Sequence, residues 1–244
     1  MRPESEPARR LLAALAWQPE QFVSDDTVIQ QIWGDDLPRH PRDSLYTCAT
    51  RLRQAFGRAD PGATASPVRR ERGGYLLAVD PQSVDLHRFR AWLRQARNAA
   101  RHGDDEAAAE LFDRGLALWG ALPLPGLGSD WAARVRVQLH HELSSAQIGR
   151  AEAGLRLGRH VEDTPDLYRL AREHPLDERI AGLLMAALYH GGRRQEALDH
   201  YAGLRHRLVG ELGVEPGPDL RNLQARILRR EPTPVRAEPA AAAV

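Results

Sequence analysis

Pro41-Arg42-Asp43-Ser44-Leu45-Tyr46-Thr47-Cys48-Ala49-Thr50-Arg51-Leu52-Arg53-Gln54-Ala55-Phe56, followed after a short break by Val68-Arg69-Arg70-Glu71-Arg72-Gly73-Gly74-Tyr75-Leu76-Leu77-Ala78-Val79, decides how this chain folds. The first stretch predicts a helix from Pro41 to Phe56, since proline is tolerated in a first turn and Gly57 stands at the far end as a stop. At about 100° per residue, Leu45, Cys48, Ala49, Leu52 and Phe56 fall on one side. The opposite side presents Asp43, Tyr46, Thr47, Thr50, Arg51 and Gln54, with Arg53 on a flank. In the second stretch β-favouring residues flank the Gly73-Gly74 pair, which reads as a hairpin closed by Asp80-Pro81.

Upstream, residues 9–17 are good helix formers ending at Gln18-Pro19. Ser24 then reads as an N-cap, with Asp25 and Asp26 complementing the dipole of a short helix whose apolar stripe, Val28, Ile29, Ile32 and Trp33, stops at Gly34. Residues 8–80 therefore spell three helices and a hairpin, the order of a helix-turn-helix followed by a wing. From 84 to 230 nearly everything reads as amphipathic helix with short breaks. Gly158 and Gly192 lie one tetratricopeptide period apart, and Gly103 opens a similar stretch, so stacked helical hairpins are expected. Pro165 is expected to interrupt the helix after Gly158. The Pro- and Ala-rich tail, 231–244, reads as disordered.

Charge is uneven. The net charge of the 244 residues is +1, which alone argues against nucleic acid. Residues 39–72, however, carry eight arginines (Arg39, Arg42, Arg51, Arg53, Arg58, Arg69, Arg70 and Arg72) against three acids. All 34 basic residues are arginine, so the clustering carries more weight than arginine at any one position. Arginine, threonine and glutamine read base edges in a major groove, and flanking arginines and hydroxyls hold phosphates. The same face would equally suit an ordinary solvated surface. The adjacent basic hairpin tips the balance toward DNA.

Other classes lack their residues. One cysteine, Cys48, excludes an intramolecular disulfide and a multi-thiolate zinc site; it falls on the buried side of its helix. His140-His141-Glu142 lacks metalloprotease spacing, a P-loop cannot exist without lysine, and there is no nucleophile elbow. The reading is of a non-enzyme with no catalytic residue, metal or cofactor. No apolar run approaches the length of a membrane span, and a soluble cytoplasmic, nucleoid-associated protein is expected. The five tryptophans read as core.

A resemblance sharpens this. Val23-Ser24-Asp25, Ile32-Trp33-Gly34-Asp35-Asp36, Ser44-Leu45, Arg51-Leu52-Arg53 and Gly74-Tyr75-Leu76 resemble the OmpR-type winged helix-turn-helix. Val84-Asp85-Leu86-His87-Arg88-Phe89, Ala117-Leu118-Trp119-Gly120, Glu173-His174-Pro175-Leu176-Asp177-Glu178-Arg179, Gly192-Arg193 with Ala197-Leu198 and Tyr201, and Glu211-Leu212-Gly213-Val214-Glu215-Pro216-Gly217-Pro218 resemble the bacterial transcriptional activator domain. In this order they are similar to the Streptomyces antibiotic regulatory proteins.

The resemblance implies a mainly α protein: a winged helix-turn-helix domain over 8–80, a tetratricopeptide-like all-α domain over 84–230, and the tail. It implies an activator that binds direct repeats in double-stranded DNA upstream of specialised-metabolite genes and recruits RNA polymerase with its sigma factor, with a homodimer as a further expectation. The motif match places Thr47, Thr50, Arg51, Arg53 and Arg72 on DNA, and the basic faces add Arg42, Tyr46 and Arg70. The winged-helix class carries an N-terminal β-sheet where this chain begins almost at its first helix. Without that sheet, several residues of the apolar surface on the helical core are expected to lie in water, at about 25 cal/mol per Å². The alternative is a helical-repeat interaction module whose shortened N-terminal domain does not bind DNA.

Overall fold

The computed structural model describes residues 6–62, 65–120 and 123–233. The elements in order are α1 (Glu6–Ala16), β1 (Val23–Ser24), α2 (Asp25–Trp33), α3 (Pro41–Ala59), β2 (Val68–Glu71), β3 (Gly74–Leu77), α4 (Asp85–Arg101), α5 (Asp105–Leu116), α6 (Asp130–Arg156), α7 (His160–Glu173), α8 (Glu178–His190), α9 (Arg194–Arg207) and α10 (Pro218–Arg229). They form two compact units: Met1–Trp92 with Arg114–Ser144, and Leu93–Asp113 with Ser145–Val244. No helix among the described residues is long and apolar enough to cross a membrane.

In the first unit Ser24 caps α2, its Oγ accepting from the Thr27 amide at 3.2 Å, and Gly34 at φ +58° ends it. α3 runs to Ala59, past Gly57, and is capped by Asp60, whose amide donates to Phe56. The expected stop at Gly57 is therefore wrong: hydrophobic burial through Leu52 and Ala55 carries the helix past a residue that only weakens it. Leu11, Leu15, Val28, Ile32, Leu45, Cys48, Leu52, Tyr75 and Leu77 share one core.

The strands pair antiparallel in the order β1-β3-β2, the only sheet among the described residues. The fold is thus mainly helical, and among the described residues no sheet precedes α1. The hairpin turn is Arg72-Gly73, not Gly73-Gly74, because Glu71 already faces Gly74 across the ladder. Gly73 supplies the φ of +81°. Gly74 is needed for a different reason, since a Cβ there would strike the Val23 carbonyl and the Phe22 ring.

The expected exposure of core residues is not seen along α1. Ala8, Leu11, Ala14 and Leu15 are at most 1% exposed. Leu11, Leu15 and Ala14 are held within the α2–α3 core, and the C-terminal end of α1 is covered from residues further along the chain. Trp131 meets Trp17 edge-on at 6.1 Å, and the Arg90 guanidinium lies 4.7 Å over the Trp17 ring while making a bidentate pair with Glu142 (2.9 and 2.8 Å). The Ser129 hydroxyl donates to the Gln31 carbonyl. All five tryptophans are half-buried rather than fully enclosed.

In the second unit α8 packs against both α7 and α9, around Leu155, Leu167, Leu170, Leu184, Leu188, Tyr201 and Leu204. Gly103, Gly158 and Gly192 adopt φ of +78°, +79° and +77°, so the three helix-to-helix turns share one left-handed stop. Five residues beyond each glycine the side chain is buried: Ala108, Asp163 and Ala197. Pro165 does not interrupt α7 but sits inside it. The helix starts at His160, so proline deprives one acceptor, the Val161 carbonyl, of its donor, on a residue 71% exposed, where solvent supplies the loss. Beyond α10 the chain stays seated through Thr233, with the Tyr189 hydroxyl donating to the Glu231 carbonyl and Thr233 against His190 Nε2 at 2.8 Å. The rest of the expected disordered tail lies outside the described residues.

Candidate nucleic-acid interface

α3 buries Leu45, Cys48, Ala49, Leu52 and Ala55, and this fixes which side chains face outward. Tyr46 is 64% exposed, Thr47, Arg51 and Gln54 are exposed, and Thr50 is half-buried beside them. The Thr47 and Thr50 hydroxyls donate to the Asp43 and Tyr46 carbonyls, each at 3.0 Å. Their oxygens remain as acceptors, which suits the exocyclic amines of adenine or cytosine. Arg42, in the first turn, reaches Asp26 at 3.4 Å with both side chains largely in water, a pair of little energetic weight. It remains available to a phosphate.

The eight residues expected on DNA divide into two groups. Arg42, Tyr46, Thr47, Thr50 and Arg51 lie along one side of α3, and Arg72 stands exposed in the hairpin turn. Arg53 and Arg70 are engaged elsewhere. Arg53 is half-buried and its Nε donates to the Val68 carbonyl at 2.9 Å. Arg70 forms a bidentate pair with Asp25, with Nη2 at 2.8 Å from Oδ2. Both guanidiniums lie over the ring of the buried Tyr75, Arg70 at 4.6 Å and Arg53 at 5.9 Å. Asp25 strengthens the hold of Arg70 on its proton, and burial pushes the Tyr75 phenol above its ordinary value. Sequence reasoning missed the Asp25 pairing because the partners are 45 residues apart, beyond the reach of local periodicity.

Arg39, counted in the basic cluster but not placed on DNA, and His40 lie next to this face. With Asp26, Ile29, Arg42 and Asp43 they line an open cleft of about 420 Å³ ahead of α3. Clustering of Arg39 and Arg42 around Pro41 was the available signal. Cys48 is 2% exposed and burial pushes its thiol up, so at neutral pH it is an apolar core residue. Among the described residues no three His, Cys, Asp or Glu side chains gather as metal ligands.

The family model of the bacterial transcriptional activator domain matches residues 84–228. Regulatory protein DnrI of Streptomyces peucetius is 32% identical over 92% of this chain and 84% of its own length. Regulatory protein AfsR of Streptomyces coelicolor is 36% identical over 92% of this chain. This chain spans 22% of the length of AfsR. The solved structure of Mycobacterium tuberculosis EmbR in complex with a low-affinity phosphopeptide superposes with a TM-score of 0.88 at 28% identity, covering 96% of this chain and 62% of that one. A winged helix followed by helical hairpins that the activator-domain model matches, with the likeness to DnrI along most of both lengths, places the chain in the Streptomyces antibiotic regulatory protein family of transcriptional regulators.

Proposed function

We propose that this chain is a sequence-specific DNA-binding transcriptional activator, pathway-specific for a specialised-metabolite gene cluster, that binds direct repeats in double-stranded DNA and recruits RNA polymerase with its sigma factor. The observation that carries the reading is the exposed side of α3, where Tyr46, Thr47, Thr50 and Arg51 line up along a helix whose other side is core. In this reading α3 enters the major groove and those four side chains reach base edges. Arg42 and the wing-tip Arg72 hold phosphates. Residues 8–80 form the DNA-binding domain and 84–230 the activator domain, which contacts polymerase and supports a homodimer. The protein acts in the cytoplasm, on the nucleoid.

Fluorescence anisotropy on duplexes from the upstream regions of its neighbouring genes tests this. The expected result is preference for one region, weakened by Arg51→Ala by about 1–3 kcal/mol and falling steeply with salt. Equal affinity for all duplexes would overturn the reading. A folded chain without DNA affinity that captures polymerase would favour the interaction-module alternative.

A further inference from the structure

Arg53, Arg70, Asp25 and Tyr75 form a continuous linkage through four elements. Asp25 opens α2, Arg70 is in β2, Tyr75 in β3 and Arg53 in α3. The links run from the Asp25 carboxylate to the Arg70 guanidinium, from that guanidinium to the face of Tyr75, from Tyr75 to Arg53, and from Arg53 Nε to the carbonyl of Val68 in β2. The backbone doubles the first link, since the Asp25 amide donates to the Gly73 carbonyl of the wing turn at 2.9 Å. The Asp25 side chain is 14% exposed and that of Arg70 44%, so the carboxylate is partly shielded while the guanidinium meets water, and a bidentate guanidinium–carboxylate pair fixes orientation as well as distance.

Arg70 is consequently a poor phosphate ligand. Its charge is neutralised by Asp25, and turning toward DNA would leave that carboxylate without its partner. Arg72, two residues on, makes no ion pair among the described residues and sits in the exposed turn. Arg70 and Arg72 therefore divide the work.

The geometry points to Arg70 and Arg53 as positioning residues that lock the wing to α2 and the recognition helix through Asp25 and Tyr75, so that Arg72 and the exposed side of α3 engage one duplex in fixed register. This inference rests on the DNA-binding reading above and assigns its basic residues to two roles.

The test uses the full chain and a fluorescent duplex selected by the wild-type protein from a randomised pool, with Asp25→Asn, Arg53→Ala, Arg70→Ala, Arg72→Ala and the double variant of Asp25 and Arg70. Stoichiometric titration gives the active fraction, so each Kd refers to folded protein. Asp25→Asn and Arg70→Ala are each expected to weaken binding by about tenfold, and the double variant no further, because both break one linkage. Arg53→Ala is expected to weaken binding in the same way. Discrimination between the selected and a scrambled duplex falls in these variants while the salt slope stays at the wild-type value. Arg72→Ala behaves oppositely, reducing the slope by about 0.9 with discrimination kept.

If Arg70 were a phosphate contact, Asp25→Asn would tighten binding and Arg70→Ala would lower the slope, and either result overturns the proposal. Unchanged Kd and discrimination in the folded fraction would reduce the linkage to a stabilising role and overturn it as well. A wild-type chain that selects no duplex would remove the DNA-binding reading itself, and the division of roles with it; that failure is visible before any variant is measured.

Discussion

Removing Arg150 should damage the second unit far more than removing its buried partner, Asp163. Asp163 is 3% exposed and occupies the position that Ala108 and Ala197 fill in the neighbouring repeats. Gly154 makes room for it, since a Cβ there would collide with the carboxylate. Arg150 donates to Asp163 and, at 3.1 Å, to Asp113, whose side chain is 53% exposed. One oxygen of Asp163, Oδ2, is buried with no hydrogen-bond partner.

Arg150→Ala strands a buried carboxylate, at a cost of about 3–5 kcal/mol. At about 2–4 °C per kcal/mol for a chain of this size, that lowers Tm by roughly 10 °C. Asp163→Ala restores the small residue of the other repeats and leaves Arg150 with Asp113, so its stability should stay within about 1 kcal/mol of wild type. The double variant should match Asp163→Ala alone. Burial already pushes the Asp163 carboxyl up despite Arg150. In Arg150→Ala it rises further, and an acid with a raised folded pKa gains stability as pH falls through that value, so the deficit should shrink on acidification. Thermal unfolding of the four proteins by circular dichroism at two pH values measures all of this. Equal losses in the two single variants would refute the reasoning, because the ion pair would then be worth more than the cost of burying it.

Four further substitutions probe separate features. His160 stacks on His190 at 4.6 Å, its Nδ1 buried without a partner, and burial and His190 lower its pKa against the opposing pull of Asp163 and Glu162; a depressed folded pKa means stability is lost as pH falls below about 6.5, so His160→Gln should flatten the acid limb of a Tm–pH profile. Gly192→Ala places a Cβ at φ +77° and should cost about 1–2 kcal/mol in a urea titration, whereas Gly57→Ala, inside α3 with open space around it, should stabilise by about 1 kcal/mol. Ser24→Ala removes the cap of α2 and should cost about 1 kcal/mol by the same titration.

Much of this fold is legible locally. Ser24, Gly34, the αL glycines and the apolar side of α3 are signals that act within a turn or two, and each fell where periodicity and capping put it. The misreadings have a common cause in tertiary packing. Gly57 and Pro165 weaken a helix but do not end one whose neighbours bury its apolar side. Gly74 reads as a turn residue until Val23 is seen against it. The candidate interface is readable in the sequence as a set of basic and polar residues, yet its division is not, since composition gives Arg70 and Arg72 the same weight and only the fold brings Asp25 to one of them.

The return of residues 114–144 to the first unit bears on how such regulators are taken apart and recombined. A fragment ending near residue 80 would strip Trp131 from Trp17 and the Ser129 hydroxyl from Gln31, and would leave the end of α1 bare. Exchanging the winged-helix portion between relatives at the apparent domain boundary should therefore yield unstable hybrids. Grafts that also carry the first half of α6 and the loop before it should fold, and inheritance should keep these two distant stretches of gene together.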